Sequence, residues 1–351
     1  MTKKTTFFFL LIGILFSCTT PVKESSRLPL LNVSENKRYI VDENGNPFFW
    51  LGDTGWLLFT KCNREDAAEY LENRKQKGFN VIQVMVIHDI DHAVNVYGDS
   101  ALINRNVSTP KTTEGNSFEN ETEYDFWDHV DYIIDLAEEK GIYMALVPVW
   151  GSNVKKGSVS DKEAEIYATW LANRYKSKSN IIWLNGGDIS GSDSTRIWNT
   201  IGNTINEIDT NHLITYHPRG RMISSDWFHN EPWLDFDMFQ SGHRRYDQDD
   251  TKRGYGQDNW RYANEAYVLK PVKPVIDGEP SYEDIPQGLH YPSQPLWNDN
   301  DVRRYAYWSV FAGAFGFTYG DNEVMQFHKP GDSDANYEAK KHWKEALNVP
   351  G

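Results

Sequence analysis

The sequence is poor in cysteine. Of its 351 residues only two are cysteines, Cys18 and Cys62. If Cys18 is modified at an export signal, Cys62 has no partner, and an apolar core rather than a disulfide must hold the chain together. The closely spaced cysteine pairs that bind structural zinc are also missing.

Positive charge is scarce as well. Lys and Arg together number 36 against 50 Asp and Glu, and the net charge is −14. Nucleic acids and anionic membrane surfaces repel a protein with such an excess of negative charge. The charge balance therefore argues against nucleic acid as a partner.

No apolar run is long enough to span a bilayer. The N-terminal run, residues 7–16, follows Lys3 and Lys4 and has the length of the apolar part of an export signal. Residues 15–18, LFSC, then resemble a bacterial lipobox, in which the cysteine is lipidated and becomes the new N-terminus. We therefore predict a lipoprotein signal peptide over residues 1–17 and lipidation of Cys18. An ordinary cleaved signal with an incidental cysteine would export the chain too.

The predicted export has consequences for location. Residues 18–30 are polar and read as a tether between lipid and domain. We expect an outer-membrane lipoprotein that faces the periplasm or the cell surface and touches the membrane only through its N-terminal lipid anchor. Removing residues 1–17 takes away two lysines and no acid, which changes the net charge from −14 to −16.

Two common catalytic motifs are absent. The turn after the first predicted strand reads GDTGW at residues 52–56, which is neither a dinucleotide nor a Walker phosphate fingerprint. The chain has no nucleophile-elbow pattern, and Cys62 has no evident partner for nucleophilic chemistry. We therefore expect no organic cofactor, no metal, and no Ser or Cys nucleophile.

Aromatic residues, by contrast, are abundant. They make up 14% of the chain and include 13 Trp. Many must lie in the core, but flat rings are also the surfaces on which the apolar faces of sugars stack. Composition alone does not separate these two roles.

The chain alternates between predicted strands and predicted helices. The strands are residues 48–51, 81–87, 142–149, 181–185, 213–217, 236–240, 275–277 and 315–319. The helices are residues 65–77, 124–140, 161–176, 194–208, 258–269 and 302–312, with a last helix around residues 337–347. Several strands are apolar on both faces, which is typical of a parallel sheet covered by helices. The count favours a (β/α)8 TIM barrel, an α/β fold, as a single catalytic domain over residues 31–351. A doubly wound open sheet is the alternative.

Two apolar runs end in glycine followed by an acid. They are residues 181–188, IIWLNGGD, and residues 274–279, PVIDGE. In a barrel, residues at the carboxyl ends of the strands converge on one face and form the active site. Cleavage of a glycosidic bond needs a carboxylic acid that protonates the leaving oxygen and a second carboxylate at the anomeric carbon. We therefore predict Asp188 as acid/base and Glu279 as nucleophile.

Other strand ends supply predicted substrate-binding residues. These are Asp53, Trp56, His88, Trp150, Asn185, His217, Gln240, His243 and Tyr319. For Asp53 a purely structural role is an equal alternative. Asp277 would point to the same side of its strand as Glu279 if the alternation continued, as a supporting group or as a rival for the nucleophile.

Arginines follow two of these strands. Arg219, Arg221, Arg244 and Arg245 lie in the loops after the fifth and sixth predicted strands of an otherwise acidic chain. Because a guanidinium binds a carboxylate with two hydrogen bonds, Arg221 and Arg244 are candidates for holding uronate groups of an oligosaccharide substrate. Salt bridges are the alternative, with Asp226, Asp247, Asp249 and Asp250 as the nearby acids.

Four motifs, taken in order, resemble glycoside hydrolase family 140, the apiosidase-like proteins. They are NPFFWLGDTGW at residues 46–56, KGFNVIQ at 77–83, WLNGGD at 183–188 and DGEP at 277–280. The resemblance runs from about residue 36 to about residue 319. It implies a retaining barrel hydrolase with Asp188 as acid/base and Glu279 as nucleophile. It also implies action on apiosyl linkages in plant pectin.

Two other function classes stay open. Residues 88–92, HDIDH, carry two histidines and two aspartates, and a metal-dependent hydrolase on the same barrel would use such ligands. A non-catalytic glycan-binding lipoprotein is the second alternative. The presence of both Asp188 and Glu279 argues against it, because loss of either acid is the simplest way to abolish catalysis.

Overall fold

The computed structural model describes Thr2 and residues 27–351. Within these residues the strands are β1 (Leu31–Val33), β2 (Ile40–Asp42), β3 (Pro47–Phe48), β4 (Trp50–Thr54), β5 (Val81–Ile87), β6 (Tyr143–Val149), β7 (Ile181–Ile189), β8 (Ile214–Pro218), β9 (Met222–Ile223), β10 (Asp237–Gln240), β11 (Val275–Asp277) and β12 (Gly316–Tyr319). The helices are α1 (Leu58–Lys61), α2 (Arg64–Gln76), α3 (Phe126–Glu139), α4 (Gly151–Lys155), α5 (Asp161–Tyr175), α6 (Thr195–Ile208), α7 (Ser225–Phe228), α8 (Trp260–Tyr267), α9 (Asp299–Phe311), α10 (Asn322–Met325) and α11 (Trp343–Ala346).

Eight of the strands form a parallel barrel. The hydrogen-bonded order is β8-β7-β6-β5-β4-β12-β11-β10, with β9 added antiparallel to β10. β12 pairs with β4 in register, from Gly316 opposite Trp50 to Tyr319 opposite Asp53. The prediction of a (β/α)8 barrel is therefore confirmed.

Single hydrogen bonds close the barrel between β8 and β10. The backbone N–H of Asp235 donates to the carbonyl of Ile214 at 2.9 Å. The hydroxyl of Thr215 donates to the carbonyl of Phe236 at 2.6 Å. Side-chain and loop groups thus join β8 to β10, whereas backbone hydrogen bonds between strands join the other neighbours in the barrel.

Local sequence explains why the helices begin where they do. Asp125 before α3, Ser160 before α5 and Asn298 before α9 each accept hydrogen bonds from the first turn, and the third helical residue bonds back to the cap. These reciprocal capping boxes satisfy backbone donors that a helix start leaves free. Each helix then covers a strand such as β5, which is buried along its whole length.

Glycine lets a tryptophan fill the barrel interior. Trp50 is 1% exposed, and its ring nitrogen donates to the hydroxyl of Thr318 at 3.1 Å. A Cβ at Gly52 would lie 2.4 Å from that nitrogen, and one at Gly316 would lie 2.3 Å from the carbonyl oxygen of Trp50. Only glycine fits at these two positions while the indole stays in place.

The structure corrects two predicted elements. The first predicted strand, residues 48–51, is divided between two sheets: β3 belongs to a small antiparallel sheet with β1 and β2, and β4 begins the barrel. The last predicted helix, residues 337–347, shrinks to α11. Tyr337 and Glu338 have φ angles of 53° and 60°, which lie in the left-handed region and are incompatible with a right-handed helix.

Asp53 is not a substrate-binding residue. It is fully buried on the helix side of β4, where it accepts a hydrogen bond from the hydroxyl of Tyr70 at 2.8 Å and pairs with Arg74 at 3.3 Å. Arg74 also donates to the carbonyl of Leu347 at 2.8 Å. Burial raises the pKa of Asp53, and Arg74 and Tyr70 oppose that rise. The prediction was wrong because successive side chains of a strand face opposite sides, and Asp53 faces away from the barrel interior.

The predicted signal peptide, Cys18 and most of the predicted tether lie outside the described residues. Among the residues that the structure describes, none of the helices is both long enough and apolar enough to cross a bilayer.

The buried pair of Asp53 and Arg74 allows a test of what holds α2 to the barrel. Replacing Arg74→Met leaves a buried carboxylate without its counter-charge, and we expect a loss of about 3–5 kcal/mol in the free energy of unfolding, measured by urea denaturation. Arg105→Met is the matched control, because Arg105 pairs with Asp91 at 3.5 Å on the exposed surface and should cost roughly 0–1 kcal/mol. Equal losses in the two variants would contradict this role of Arg74.

Candidate active site

A cavity of about 390 Å³ opens at the carboxyl ends of the barrel strands. Asp188 and Glu279 both line it, as the sequence predicted. The other predicted site residues in its wall are Trp56, His88, Trp150, Arg221, Gln240, His243 and Arg244. The barrel thus gathers residues from seven distant stretches of chain around one cleft.

A bulge in β7 turns Asp188 into the cleft. Gly186, Gly187 and Asp188 have φ angles of 94°, 108° and 46°, three successive left-handed residues. The pairing of β7 with β8 shifts register between Gly186 and Ile189. A Cβ at Gly187 would lie 2.5 Å from the ring of Trp150, so this position requires glycine both for its φ angle and for space. The strand therefore continues four residues beyond its predicted end at Asn185.

Asn185 and Tyr319 do not face the cavity, contrary to prediction. The side-chain amide of Asn185 donates to the carbonyl of Trp198 in α6 at 2.7 Å. The hydroxyl of Tyr319 donates to Glu283 at 2.6 Å. Both side chains stand on the helix side of their strands, so the prediction that Asn185 and Tyr319 bind substrate is wrong.

Two histidines hold Glu279. The Nε2 atom of His243 lies 2.9 Å from Oε1 of Glu279, and the Nε2 atom of His217 lies 3.2 Å from Oε2. The second contact has the distance of an ion pair, but its angle is too poor for a hydrogen bond, and the His217 Nε2 atom has no hydrogen-bond partner among the described residues. Each carboxylate oxygen of Glu279 thus faces one imidazole.

Backbone groups select the tautomer of both rings. The Nδ1 atom of His217 accepts the backbone N–H of Asp188 at 3.3 Å. The Nδ1 atom of His243 accepts the backbone N–H of Tyr282 at 3.4 Å. A nitrogen that accepts a hydrogen bond carries no proton, so each ring presents its N–H to Glu279 from Nε2. His217 is fully buried and supports Glu279 from behind, so it is a positioning residue and not the predicted substrate contact.

The two acids have opposite pKa shifts. Burial opposes ionisation of Glu279, but the Nε2–H groups of His217 and His243 that face its two oxygens outweigh it and lower the pKa of Glu279 to about 2. Burial in the cleft, followed by the charge of Glu279, raises the pKa of Asp188 to about 6. The side chain of Asp188 is exposed by surface area, but it is exposed to the cleft, where protein surrounds it. Between these two values the pair holds one proton, and that proton is on Asp188.

Asp277 plays a different role from its neighbour Glu279. Its Oδ2 atom accepts hydrogen bonds from Ser241 at 2.6 Å, Ser309 at 3.0 Å and Asn259 at 3.1 Å. β11 ends at Asp277, so the alternation of the strand does not reach Glu279, and the two acids point to opposite sides. Burial raises the pKa of Asp277 to about 6, but the side chain lies behind the sheet and does not line the cavity.

Aromatic rings form one wall of the cleft. The rings of Trp56 and Trp150 lie 5.3 Å apart between centroids, and they lie 5.4 Å and 6.0 Å from the ring of His217. Both tryptophans line the cavity. They present flat apolar surface beside the two acids, which suits the face of a sugar ring.

Arginines also line the cleft: Arg219, Arg221 and Arg244 form its arginine wall. Arg221 is 6% exposed, its Nη1 atom donates to the carbonyl of Gly242 at 3.4 Å, and its nearest carboxylate, Asp249, is 3.9 Å away. Its Nε atom has no hydrogen-bond partner among the described residues. Burial, followed by the charge of Arg244, lowers the pKa of Arg221.

Two of the other arginines, Arg244 and Arg245, have acidic partners. Arg244 lines the cavity and pairs with Asp250 at 2.6 Å, whereas Arg245 pairs with Asp247 at 2.9 Å and does not line the cavity. Of the two alternatives that the sequence left open, the salt bridge therefore applies to Arg244 and Arg245, although Arg244 also lines the cavity. Arg221 keeps donor capacity that its protein neighbours do not use.

The segment after β12 supplies cleft residues that sequence reasoning missed. Gln326, Asn336 and Tyr337 line the cavity. Burial and then the charges of Asp188 and Glu279 raise the pKa of Tyr337 to about 12, so this hydroxyl stands within electrostatic range of both acids. The long segment after the eighth predicted strand indicates that residues beyond Tyr319 could reach the cleft. The sequence analysis instead predicted a helix at residues 337–347, which includes Tyr337.

The histidines at positions 88 and 92 diverge. His88 lines the cavity, whereas the His92 side chain is 83% exposed and contacts Asp89 at 3.0 Å. Within the described residues, neither histidine belongs to a group of three ligand atoms close enough to share one metal ion. The arrangement of residues 88–92 therefore does not support the metal-dependent alternative.

Comparisons with known proteins agree with this geometry. Residues 34–351 match the family model described as Apiosidase-like, catalytic domain. A glycoside hydrolase family 5 protein from Bacteroides vulgatus is 46% identical, with a TM-score of 0.86 over 92% of this chain and 70% of that one. A second structure, titled glycoside hydrolase, is 50% identical, with a TM-score of 0.84 over 92% of this chain and 72% of that one.

More distant structures share the fold alone. An endo-1,4-β-D-mannanase from Thermotoga petrophila is 14% identical, with a TM-score of 0.56 over 86% of this chain and 98% of that one. A search of curated proteins found no match.

The electrostatic coupling of the two acids can be tested without any substrate. In Glu279→Gln the negative charge beside Asp188 is gone, so the pKa of Asp188 should fall below its value of about 6, as measured by carboxyl-carbon NMR titration. Asp128 is an internal control, because burial away from the cleft raises its pKa to about 6 as well. Its titration should not move. An unchanged titration of Asp188 would show that Glu279 does not influence it.

Proposed function

Because this chain belongs to the apiosidase-like family of glycoside hydrolases, we propose that it hydrolyses a glycosidic bond in a plant cell-wall oligosaccharide of the pectin type. It is a glycosidase, and its substrate is an oligosaccharide. An apiosyl linkage is the first candidate for the bond that it cleaves. No cofactor enters the proposed reaction.

The observation that carries the proposal is that one cleft holds two acids, of which Asp188 keeps its proton and Glu279 is ionised. A glycosidase needs a protonated carboxyl on the leaving-group side and an ionised carboxylate at the anomeric carbon. The pKa of about 6 at Asp188 and of about 2 at Glu279 meet both needs at mildly acidic pH. A binding protein without catalysis has no use for such opposed shifts.

The reaction then follows from these roles in two steps. Asp188 protonates the glycosidic oxygen, and Glu279 attacks the anomeric carbon as the bond to the leaving sugar breaks, which forms a glycosyl-enzyme ester. Asp188, now ionised, takes a proton from water, whose oxygen attacks the anomeric carbon and releases Glu279 as a carboxylate. Two inversions retain the anomeric configuration.

The histidine contacts suit a nucleophile better than an acid. Nε2–H groups that face both oxygens of Glu279 stabilise its charged form and hold the carboxylate plane in place. The backbone N–H of Asp188 donates to His217 and sets its tautomer. The His217 ring therefore connects the backbone of Asp188 with the side chain of Glu279.

The arginine wall supports a substrate that carries carboxylates. Arg221 is buried beside Arg244, and its unpartnered Nε atom leaves it able to receive a uronate. Asp249 faces this guanidinium only at 3.9 Å and without a hydrogen bond, so a ligand carboxylate could satisfy donors that the protein leaves unused. Pectin is rich in uronates, which agrees with the proposed substrate class.

The site of action is proposed from the sequence. The predicted signal peptide and Cys18 support an exported lipoprotein that is anchored at the outer membrane. An enzyme in that position meets oligosaccharides outside the cytoplasm, where plant polymers are degraded.

The roles of the two acids can be tested on a panel of pectin-derived oligosaccharides. Asp188→Asn should lose about 10²–10⁴ in kcat, and Glu279→Gln should lose activity and should fail to form a covalent adduct with a fluorinated glycosyl donor in intact-protein mass spectrometry. Asp91→Asn, an exposed acid outside the cavity, is the control and should retain full activity. Wild-type turnover that survives in Glu279→Gln would exclude the proposed nucleophile.

The arginine wall can be tested by comparing acidic with neutral substrates. Loss of a charge-assisted hydrogen bond is worth about 1.5–3 kcal/mol, so Arg221→Met and Arg244→Met should each lower kcat/KM on a uronate-containing oligosaccharide by roughly 10–100-fold. The same variants should act normally on the carboxyl-reduced form of that oligosaccharide. Arg245→Met serves as the control, because Arg245 pairs with Asp247 and does not line the cavity. Equal losses on both substrates would refute uronate recognition.

A further inference from the structure

Three carboxylates meet beside the cleft without sufficient positive charge. Asp284, Asp321 and Glu323 each place one carboxylate oxygen within 4.8 Å of those of the other two. Asp321 is fully buried and Glu323 is 3% exposed. This cluster lies at the ends of β11 and β12, apart from the catalytic acids, and the proposed reaction does not use it.

Part of the cluster is satisfied by the protein. One oxygen of Asp321 caps α10 by accepting the N–H groups of Glu323 and Val324 at 3.0 Å and 2.9 Å. One oxygen of Glu323 accepts the N–H groups of Lys340 and Lys341 at 3.2 Å and 3.4 Å. These bonds orient both carboxylates.

The remaining oxygens point to a missing ligand. Oδ2 of Asp321 and Oε2 of Glu323 are buried and have no hydrogen-bond partner among the described residues. The ammonium of Lys341 contacts Asp284 at 2.5 Å, but it makes no hydrogen bond to either of these two oxygens. Buried carboxylate oxygens without partners are costly, and a bound cation is a common way to satisfy them.

Glu283 precedes Asp284 and pairs with Asp321 in an isolated β-bridge, so a fourth acid lies beside the cluster. Among the described residues, Lys341 is the one cation that pairs with an acid of the cluster. One lysine does not balance the negative charge of these acids.

We propose that Asp284, Asp321 and Glu323 form a structural Ca²⁺ site. Ca²⁺ prefers oxygen ligands at about 2.3–2.6 Å, so it can bridge oxygens up to roughly 5 Å apart in irregular loops. Water would complete a coordination shell of about 6–8 oxygens. Mg²⁺ suits the cluster less, because it binds at about 2.0–2.1 Å and retains most of its own water.

The site would join three stretches of chain that form one wall of the cleft. The side chain of Asn322, between the two buried acids, donates to the carbonyl of Tyr337 at 2.8 Å and to that of Asp284 at 3.3 Å. Glu323 binds the backbone directly after Tyr337 through Lys340 and Lys341. A cation here would therefore stabilise the segment that carries Tyr337 into the cleft.

The experiment measures binding of Ca²⁺ itself to the whole chain after treatment with a chelator and dialysis. Calorimetric titration should give a saturable site with one Ca²⁺ per chain, and Ca²⁺ should raise Tm by several degrees more than Mg²⁺ or NaCl at equal ionic strength. Neither readout depends on activity, so the result stands whether or not the proposed substrate is correct.

Amide variants identify the ligands. Asp321→Asn keeps the oxygen that caps α10, and Glu323→Gln keeps the oxygen that accepts the two backbone N–H groups. Both should fold, and each should weaken Ca²⁺ binding at least about 10-fold, as expected when one charged ligand is lost. Glu338→Gln is the control, because Glu338 is an exposed acid on the same segment and lies outside the cluster.

Two results would overturn the proposal. The first is that calorimetry detects no Ca²⁺ binding to the wild-type protein and that Ca²⁺ raises its Tm no more than NaCl at equal ionic strength does. Lys341 and a proton on Asp321 would then balance the charge of the cluster. The other is binding that Asp321→Asn and Glu323→Gln both retain at wild-type strength, which would place any Ca²⁺ elsewhere on this acidic chain.

Discussion

The site depends on the contact between Glu279 and two imidazoles that the backbone orients. His217 and His243 each accept a backbone N–H at Nδ1, so each presents its other nitrogen to one oxygen of Glu279. The glutamate is thereby held as an anion in a buried place, and that anion then helps to keep the proton on Asp188. Without this fixed negative charge the two carboxyls would lose much of the difference that separates an acid from a nucleophile.

Two strands of the barrel depart from regular structure and so bring Asp188 and Glu279 into the same cleft. β7 must bulge to aim Asp188, and it does so through Gly186 and Gly187, of which Gly187 also makes room for Trp150. β11 simply stops at Asp277, which frees Glu279 to turn inward. The bulge in β7 and the early end of β11 are local departures from regular strand geometry. Both occur where an acidic side chain has to point into the cleft.

The sequence predicted much of the fold because strands such as β5 and helices such as α2 carry strong local signals: apolar runs of β-branched residues, capping side chains and terminal glycines. It also identified both acids, since an acid after a buried strand is a local pattern. It was wrong about Asp53, Asn185 and Tyr319. Their strand positions were recognised, but which face they occupy depends on the pairing of β4, β7 and β12 within the closed barrel.

The sequence by itself determined the order of strands and helices, the likeness to a hydrolase family and the two candidate acids, Asp188 and Glu279, because these follow from local composition and spacing. Only the tertiary structure decided that His217 stands behind Glu279, that Arg221 is buried beside Arg244, and that Tyr337 reaches the cleft from the segment after β12. Contacts between residues tens of positions apart depend on how the barrel closes and on which way each side chain points. A local stretch of sequence determines neither of these.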